Sequence, residues 1–576
     1  MNNIVKSLVA VGVASAISIA NAATYTIVDK GDVSSLKYTY TQQENASSET
    51  AISGTELYNF PVQFDELDED DYDSIVNLAD ATHEIVLALE NIENEELLRA
   101  GTPTANDFAW TVRWLSGRNN NFYQRVGDQV AMINDGIETK EVVVFDEPFE
   151  GTDTLTRSVS DFANGISDRG WLYGNGSAPY LPLVFTDSDG DDDTWWLRDF
   201  NTRAFVSVDN GESVIPVLPP ETSFYEGESA ILDMRGLIAV GYASVSTNPE
   251  IVERIEDETG GCADPDVVDD IPYLACVQNL SANLYNLNAY IWRFDESGNI
   301  VDEEALGILV TPAEGDDRTY QSFGQAVNSQ GVVVGYSHAW IDETETTPGN
   351  NEDRWFYAFV YKDGEMVSLT RDHSEYYDSR AYDINDAGIA VGHARTSVNG
   401  RIRSKFYYID TNVPSEELQL IFPEDFFTGS SSTARAINEQ GFVVGEGEVE
   451  TQNSELRRTH GFLYDINNET FTDLNDFLSC DSAYTIIEAR DINELNEISA
   501  TAIVKVPRRD SYGELMFDDN GDQLVEDVVR AVTMKPIDGE IEDCSEVEEK
   551  VERNGASFGF GLFAFLLGLG VRRLTR

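Results

Sequence analysis

The sequence predicts an all-β protein, a β-propeller of four-stranded antiparallel blades, with seven blades favoured, six or eight also open, and a small helical insertion near the N-terminus. Three observations lead to this prediction: a repeat along the chain, turn chemistry at the centre of each repeat, and an aromatic strand after it. Successive repeats from Asn328 lie 57, 53 and 55 residues apart, at Asn385, Asn438 and Asn493. Repetition at a steady period is typical of ring and solenoid architectures, and units of this size fit propeller blades with generous loops.

The repeat core is Asn-x-x-Gly, a short apolar run and a second Gly. Asn favours a turn by bonding its own backbone, the first Gly supplies a positive φ, and the second Gly permits a bulge or a close strand approach. Weaker copies contain Ser167, Asp233 and Asn493 at the first position. The residues assigned to the repeat turns are those of the three clear copies, Asn328/Gly331/Gly335, Asn385/Gly388/Gly392 and Asn438/Gly441/Gly445.

Aromatic segments such as "YAFVYKDGEMVSL" from Tyr357 and "HGFLYDINNETFTDL" from His460 follow the cores. Most of them contain a second hairpin turn, so each repeat is predicted to hold four antiparallel strands. The repeat propeller is expected over residues 151–540.

Residues 23–150 are expected to hold a first strand, a degenerate blade and a helical insert. The opening "TYTIVDKG" from Thr24 is predicted to pair into the last blade and close the ring. "TAISGTELYNFPV" from Thr50 is interpreted as a degenerate core and "FAWTVRWL" from Phe108 as its aromatic strand. Apolar residues from Ile75 to Ile92 recur at helical spacing between them, which predicts the helix.

Both ends of the chain are interpreted as targeting signals. Residues 1–22 have the short basic start, apolar run and small residues of a secretory signal peptide cleaved after Ala22; an uncleaved anchor helix is the alternative. Residues 541–554 form an acidic linker, and residues 555–576 combine Gly555-Ala556, an apolar stretch and closing arginines. This tail is interpreted as a processed sorting and membrane segment, with a permanent anchor as the alternative.

The repeats, with their Asn-x-x-Gly-x-Val-Val-Gly cores, Ala-Phe-x-Tyr strands and "YTIVDKG" opening, resemble the "probable extracellular repeat, HAF family". The tail resembles the GlyGly-CTERM signal, which is cleaved by rhombosortase, although Ala556 replaces the second Gly. The whole chain resembles exported gammaproteobacterial proteins of unknown function. The resemblance implies the fold, export through the inner membrane and periplasm, and a final place at the cell surface or in the medium. The export machinery and a tail-processing membrane protease are the partners it implies, and it implies no activity.

The chain is strongly acidic. Its 38 Lys and Arg stand against 104 Asp and Glu, a net charge of −66. Nucleic-acid binding is therefore not expected, because a binder needs a basic stripe to displace counterions. The acids crowd the loops, where they keep an exported protein soluble through self-repulsion.

The four cysteines are predicted to form disulfides, because export leads to an oxidising compartment. Four cysteines allow three connectivities. We favour a Cys262–Cys276 disulfide that closes a local loop and a Cys480–Cys544 disulfide that constrains the C-terminal part of the fold.

Two loops are candidates for calcium, the one cofactor the sequence suggests. Alternating carboxylates on a Gly-containing turn are able to wrap a hard cation, although neither loop matches the EF-hand pattern, and a solvated acidic loop is the alternative. The candidate ligands are Asp187, Asp189, Asp191 and Asp193 in the first loop and Asp518, Asn520 and Asp522 in the second.

The sequence contains no nucleophile elbow, zinc-protease motif, P-loop or dinucleotide fingerprint, so no catalytic residue is assigned. His338 and His393, which follow repeat glycines, are interpreted as structural or pore-lining. Trp195 and Trp196 are interpreted as core rather than as a sugar-stacking platform. A binding or interaction protein with a glycan or protein ligand is favoured. A polysaccharide hydrolase or lyase that uses carboxylates in the propeller funnel is the alternative, and whether the protein is an enzyme stays open.

Overall fold

The computed structural model describes residues 23–86, 88–312, 316, 318–342, 353–451, 457–539 and 541. It contains seven antiparallel sheets whose first strands are neighbours all round a central axis. The protein is therefore a seven-bladed β-propeller, as predicted. The predicted signal peptide with Ala22, the tail with Gly555 and Ala556, and Cys544 lie outside the described residues.

Blades 1 to 3 hold strands β2 to β15 and all the α-helices of the described chain. Blade 1 consists of β2 (Leu36–Glu44), β3 (Thr50–Leu57), β4 (Val130–Asn134) and β5 (Thr139–Glu141). Blade 2 consists of β6 (Phe162–Ile166), β7 (Leu172–Gly176), β10 (Arg203–Ser207) and β11 (Ile215–Val217), with an extra hairpin of β8 (Leu181–Thr186) and β9 (Asp192–Leu197). Blade 3 consists of β12 (Ser229–Arg235), β13 (Ile238–Thr247), β14 (Tyr285–Phe294) and β15 (Ile300–Gly307). The helices are α1 (Glu69–Thr82), α2 (Glu95–Arg99), α3 (Ala105–Ser116), α4 (Pro249–Glu256), α5 (Pro265–Val268) and α6 (Tyr273–Leu280).

Blades 4 to 7 carry the clearest repeats. Blade 4 consists of β16 (Ser322–Val327), β17 (Val333–Trp340), β18 (Arg354–Lys362) and β19 (Glu365–Ser368). Blade 5 has three strands, β20 (Asp378–Ile384), β21 (Ile389–Val398) and β22 (Arg401–Asp410). In place of a fourth strand it has a single antiparallel bridge between Tyr408 and Ile421. Blade 6 consists of β23 (Ser432–Ile437), β24 (Phe442–Glu448), β25 (Thr459–Asp465) and β26 (Thr470–Asp473). Blade 7 consists of β27 (Thr485–Ile492), β28 (Ile498–Pro507), β29 (Val525–Asp538) and the N-terminal β1 (Ala23–Asp29). Short 3-10 turns lie at Phe64–Glu66, Ser281–Asn283, Ser415–Glu417 and Leu474–Phe477.

The ring is closed by pairing the two ends of the described chain. Strand β1 runs antiparallel to β29 from Ala23 opposite Asp538 to Asp29 opposite Val532, as the opening segment predicts. A buried ionic network lies at this seam between blades 7 and 1. Glu44 lies 3.6 Å from Lys30 and 3.4 Å from Lys535, and it also accepts hydrogen bonds from two threonine hydroxyls. Lys30 in turn donates to Asn134 at 2.9 Å, so the network joins strands that are far apart in sequence.

The hydrophobic core lies between adjacent blades. One cluster joins blades 4 and 5 through Val334, Ala358, Ile384 and Tyr407, and comparable clusters join the other blades. The inner and outer faces of each sheet are therefore covered by neighbours, and the apolar alternation of the strands is satisfied round the ring.

The first glycine of each clear repeat lies in the turn to which the sequence assigns it. Gly331, Gly388 and Gly441 adopt φ of 80°, 77° and 83°, the left-handed region that favours glycine. Each of them donates its backbone N–H to the carbonyl of the repeat asparagine three residues earlier. The positive φ predicted for this position is therefore confirmed.

The second glycine of each clear repeat is not a turn residue, so its assignment to the repeat turn is wrong. Gly335 lies within β17, Gly392 within β21 and Gly445 within β24, and none of the three has a positive φ. The apolar run after the turn has already begun the second strand of the blade, which carries the glycine into the sheet.

The close strand approach predicted for the second glycine is nevertheless confirmed. Each of these glycines lies opposite a β-bulge on the first strand of its blade; in blade 5 the bulge falls between Ala381 and Asp383. A Cβ added at any of them would overlap a carbonyl oxygen of that strand, at 1.9 Å for Gly335, 1.9 Å for Gly392 and 2.0 Å for Gly445. The position therefore requires glycine for space and not for its φ.

The repeat asparagines link consecutive blades. The Asn328 side-chain oxygen accepts the backbone N–H of Gln330 and of Val332 within its own turn. Its amide donates to the Asn385 carbonyl of the next blade at 3.2 Å, and Asn385 donates in the same way to Asn438 at 3.1 Å. The recurring geometry of the turn therefore also fixes the spacing of blades.

One strand prediction is wrong. The segment from Phe108 forms part of helix α3, and the third strand of blade 1 is instead Val130–Asn134. Thr104 caps α3 by accepting the backbone N–H of Asp107, and Phe108, Trp110 and Trp114 are buried in the helical insertion. The aromatic residues of this segment fit a helix face as well as a strand, and the N-cap at Thr104 favours the helix.

Cys262 and Cys276 form the predicted disulfide, with their Cα atoms 5.6 Å apart. It ties the loop after α4 to α6, within a buried cluster that contains Tyr225, Ile255 and Val277. Among the described residues, no helix is both long enough and apolar enough to span a bilayer.

Replacing both Cys262 and Cys276 by serine is expected to loosen the blade 3 insertion and leave the ring folded. Closing a loop of this length stabilises by about 3 kcal/mol in the chain-entropy model. Hydrogen exchange should rise over residues 249–283 and stay unchanged in β16–β19. Uniformly faster exchange across the whole ring would contradict a local role.

Candidate functional site

The long insertions of the propeller all leave from one face. In an antiparallel blade, the link from the second to the third strand emerges at the same end as the link to the next blade. We call this end the insertion face, and the opposite end, which holds the repeat turns, the turn face. Blade 5 has only a tight turn at Asn399 and Gly400 on the insertion face. The described residues of these insertions are 58–86 and 88–129 in blade 1, 177–202 in blade 2, 248–284 in blade 3, 341–342 and 353 in blade 4, 449–451 and 457–458 in blade 6, and 508–524 in blade 7.

The insertions of blades 7, 1, 2 and 3 pack against one another as a cap. Phe108 and Tyr512 stack with their ring centroids 4.6 Å apart. Asn121 accepts the Trp196 backbone N–H at 2.6 Å and the Gln278 side-chain amide at 3.2 Å. Four separate segments therefore form one layer over half of the insertion face.

A cleft of about 580 Å³ lies beyond this cap, between blades 4 and 5. Four arginines line it, with only two aspartates, so its wall is cationic although the chain carries a net charge of −66. The lining side chains are Arg318, His338, Asp353, Arg354, Trp355, Phe356, Asp378, Arg380 and Arg395.

The blade 4 arginines are held by aromatic rings and by a buried acid. Arg318 makes a bidentate contact with Asp316, and the Tyr320 hydroxyl donates to the same carboxylate at 2.5 Å. Arg354 lies 4.6 Å from the Tyr320 ring centroid and donates to the Thr319 carbonyl at 2.8 Å. Burial lowers the pKa of Arg354, and the charge of Arg318 lowers it further, because the two cations lie close together.

The blade 5 arginines differ in their partners. The Arg380 Nε lies 3.4 Å from Asp378, and its guanidinium packs 4.6 Å from the Tyr336 ring centroid. Burial raises the pKa of Asp378, but its contacts with His393 and Arg380 outweigh burial and the net shift is downward. Arg395 is exposed, and neither it nor Arg354 has an ion pair within the described part of the chain. These two arginines are the cations that a ligand would neutralise.

His338 contributes a neutral donor to the cleft. Its ring stacks on Phe356 at 4.1 Å, and its Nδ1 accepts the Gln321 backbone N–H at 3.0 Å. Burial, followed by the charges of Arg354 and Arg318, lowers the pKa of His338 to about 3. An Nδ1 that accepts a hydrogen bond places the proton on Nε2. His338 is therefore suited to donate to a ligand and is poorly suited to act as a base.

The axial channel contains a second set of charges, nearer the turn face. At the position that follows each bulge, blades 1, 3, 5 and 7 carry a polar residue, and blades 2, 4 and 6 carry a small one. The polar residues accept a backbone N–H from the next blade, as Asp383 does from Ile437 at 2.8 Å. The polar set is Gln43, Asp233, Asp383 and Asp491, and the small set is Gly165, Ala326 and Ala436.

These channel carboxylates surround Arg235, whose charge interacts with all three of them. Burial raises the pKa of Asp383 to about 7 and that of Asp491 to about 8, and repulsion among the acids adds to each shift. Because each acid is engaged by the backbone of a neighbouring blade, the set joins blades and is not a free catalytic pair.

Asp161, in the link between blades 1 and 2, is a further buried carboxylate. Burial raises its pKa to about 8, only partly offset by the Val144 backbone N–H at 3.4 Å, and Asp146 adds repulsion. Its Oδ1 has no hydrogen-bond partner within the described residues.

Asp161→Asn is expected to stabilise the protein above pH 8 and to have little effect below pH 4. The folded-state pKa lies above the unfolded value of about 3.9, so the wild type loses stability as pH rises between the two values. The gain should grow by about 1.4 kcal/mol for each pH unit between pH 5 and the folded-state pKa and level off above it, which urea denaturation from pH 5 to 9 measures. Asp189→Asn, at an exposed turn, controls for the lost charge. An unchanged pH slope would contradict the assignment.

Neither predicted calcium loop gathers its carboxylates round a common point. Asp187 accepts the backbone N–H of Asp189 and of Asp191, and Asp518 accepts that of Asn520 and of Asp522, so each loop is a hairpin turn closed by its first acid. Over the described ranges, no group of three or more His, Cys, Asp or Glu is arranged to hold a metal ion. Asp193 lies in β9, opposite Phe185. Calcium binding stays a prediction.

The cleft was not singled out from the sequence. Trp195 and Trp196 are buried as expected, although in the blade 2 insertion and not in a blade. His338 lines the cleft and His393 lies 3.6 Å from Asp378 beside it. The available signal was the concentration of arginines in and just before blades 4 and 5 in an acidic chain.

Comparison with known proteins gives a family. The family described as "Protein of unknown function (DUF3466)" matches residues 3–576. The search of curated proteins gives no match.

Three solved structures are among those similar to the chain. The β-propeller domain of the Trilobed protease from Pyrococcus furiosus is 10% identical, with 90% of this chain and 99% of that chain covered and a TM-score of 0.35. The acylaminoacyl peptidase of Pyrococcus horikoshii is 12% identical, with 87% and 53% covered and a TM-score of 0.34. The polysaccharide lyase Uly1 is 10% identical, with 72% and 87% covered and a TM-score of 0.32. Likeness at this level carries no argument about activity.

Proposed function

Since the chain belongs to DUF3466, a family of proteins of unknown function, we propose its role from its own geometry: it is an exported propeller that binds a ligand at the insertion face. An anionic group of that ligand is held in the cleft between blades 4 and 5. The observation that carries the proposal is a cationic cleft in a protein with a net charge of −66. Arginines gathered in one cleft of an acidic chain focus a positive potential there, which attracts an anionic group.

Export is part of the proposal. The signal-peptide pattern of residues 1–22 supports it, and so does the Cys262–Cys276 disulfide, since disulfides persist in oxidising compartments. A rigid ring with variable insertions on one face is a common way to present a binding surface.

Removing the two unpaired cations of the cleft tests the proposal. Titrations of acetate, sulfate and glucuronate at 0.3 M NaCl should show binding by the wild type, and Arg354→Ala with Arg395→Ala should weaken it at least tenfold. Each cation contributes about 1.5–3 kcal/mol through charged hydrogen bonds. Arg169→Ala, whose side chain pairs with Glu296 at the turn face, is the matched control and should bind like the wild type. Equal binding by all variants, or none by the wild type, would overturn the proposal.

A polysaccharide hydrolase or lyase is the second candidate. One observation favours it: Asp353 and Asp378 line the same cleft as His338. Two carboxylates that flank a sugar are the usual requirement for glycoside hydrolysis. A panel of polysaccharides scored for both binding and new reducing ends or unsaturated products separates the candidates, since turnover that is lost in Asp353→Asn supports an enzyme.

A further inference from the structure

We propose that the ligand of the cleft is an acidic sugar within an otherwise mostly neutral saccharide chain. This inference rests on the proposed function and names its ligand class. One carboxylate or sulfate group would bind Arg354 and Arg395, and the sugar ring would lie on Trp355. Three features of the described residues support this class over a simple anion and over a dense polyanion.

The first feature is the contrast between the cleft and its surroundings. Over the whole chain, acids outnumber Lys and Arg by 104 to 38, so the net field of the protein repels a densely charged polyanion. Repulsion is screened over about 10 Å at 0.1 M salt, so a ligand whose charge is confined to one unit avoids most of it. A nucleic acid or polyphosphate extends its charge well beyond that range.

The second feature is an exposed indole beside the cations. Trp355 is 50% exposed although it belongs to β18, and it lines the cleft between Arg354 and Phe356. An aromatic side chain that is open to water in a ligand cleft favours binding, because burying it under an apolar face of the ligand lowers the free energy. The C–H face of a pyranose ring is such a surface, and an inorganic anion offers none.

The third feature is the mixture of hydrogen-bonding groups. The Nε2–H of neutral His338 is a donor, Asp353 is an exposed acceptor, and the arginines are planar donors suited to carboxylate or sulfate. Sugar hydroxyls both donate and accept, so they satisfy His338 and Asp353 together. A bare anion would satisfy the donors and face Asp353 with repulsion.

The experiment compares five probes by titration calorimetry: acetate, a neutral disaccharide, the same disaccharide carrying one glucuronate, the same disaccharide carrying one sulfate ester, and polyphosphate. The wild type should bind at least one acidic disaccharide tenfold or more tightly than acetate and than the neutral disaccharide. The two acidic arms distinguish carboxylate from sulfate. Polyphosphate should bind weakly at 0.1 M NaCl, and any binding should strengthen with added salt, opposite to the usual trend for polyanions.

Trp355→Ala should bring the affinity for the acidic disaccharide down to that for acetate, with acetate binding unchanged. Trp355→Phe should restore part of the preference, which a folding defect would not do. Phe517→Ala, which removes a comparably exposed aromatic residue from the blade 7 insertion, should behave like the wild type. Equal binding of acetate and acidic disaccharide, or no effect of Trp355→Ala, would overturn this inference and leave anion binding standing. Failure of every probe to bind would overturn the proposed function as well.

Discussion

Replacing Gly392 by alanine is expected to destabilise the propeller by more than about 4 kcal/mol, the range reached by severe strain or core disruption. The added Cβ would lie 1.9 Å from the Arg380 carbonyl oxygen and 2.9 Å from the Ala381 Cα, which are backbone atoms of the inner strand. Because both are backbone atoms, no side-chain rotation can move them out of the way. Relief would require unpairing β20 from β21 at the bulge, where the first and second strands of blade 5 meet.

Urea denaturation and soluble yield would measure this effect. Gly429→Ala is the matched control, because its nearest neighbour is the tip of the Phe427 ring at 3.5 Å and its φ is not positive. That variant should stay within about 0.5 kcal/mol of the wild type, as ordinary surface substitutions do. Equal stability of the two variants would show that the bulge relaxes freely.

Replacing Glu44 by alanine is expected to cost about 3–5 kcal/mol, because removing one partner of a buried ion pair leaves an uncompensated charge. Lys30 is almost fully buried beside it, and burial already lowers the pKa of that lysine. Without Glu44, the seam between blades 7 and 1 would keep two lysines close to each other and two threonine hydroxyls without their acceptor.

Thermal unfolding and protease cleavage near the N-terminus would measure the loss at the seam. Glu296→Ala, which breaks the exposed pair with Arg169 at the turn face, should cost less than about 1 kcal/mol. A Glu44→Ala variant as stable as this control would show that the network does not hold the ring closed.

The fold could be predicted because its information is local and repeated. Asn328, Asn385 and Asn438 each mark a turn, and the glycines after them mark a positive φ and then a close strand approach, so three copies were enough to identify a blade. The segment from Phe108 shows the limit of this reasoning. Its aromatic spacing matches a strand, but the cap at Thr104 and the apolar partners of α1 and α2 make it a helix.

The cleft could not be predicted because its parts come from four separate elements. Arg318 lies in the link before blade 4, Arg354 begins β18, and Arg380 and Arg395 lie on β20 and β21. They meet only because β17 and β18 lie beside β20 in the ring. No spacing in the chain indicates that arrangement, and arginines in strands and links have many other uses.

Polar and small residues alternate from blade to blade around the channel, and this alternation has a consequence for the number of blades. Seven is an odd number, so two polar positions must be neighbours somewhere, and they are Asp491 of blade 7 and Gln43 of blade 1. That place is also where the chain ends meet. A ring built only by duplicating pairs of blades would hold an even count, so pair duplication alone does not produce this ring. Anyone who redesigns this propeller should add or remove blades in twos, or rebuild the mismatch wherever the new seam falls.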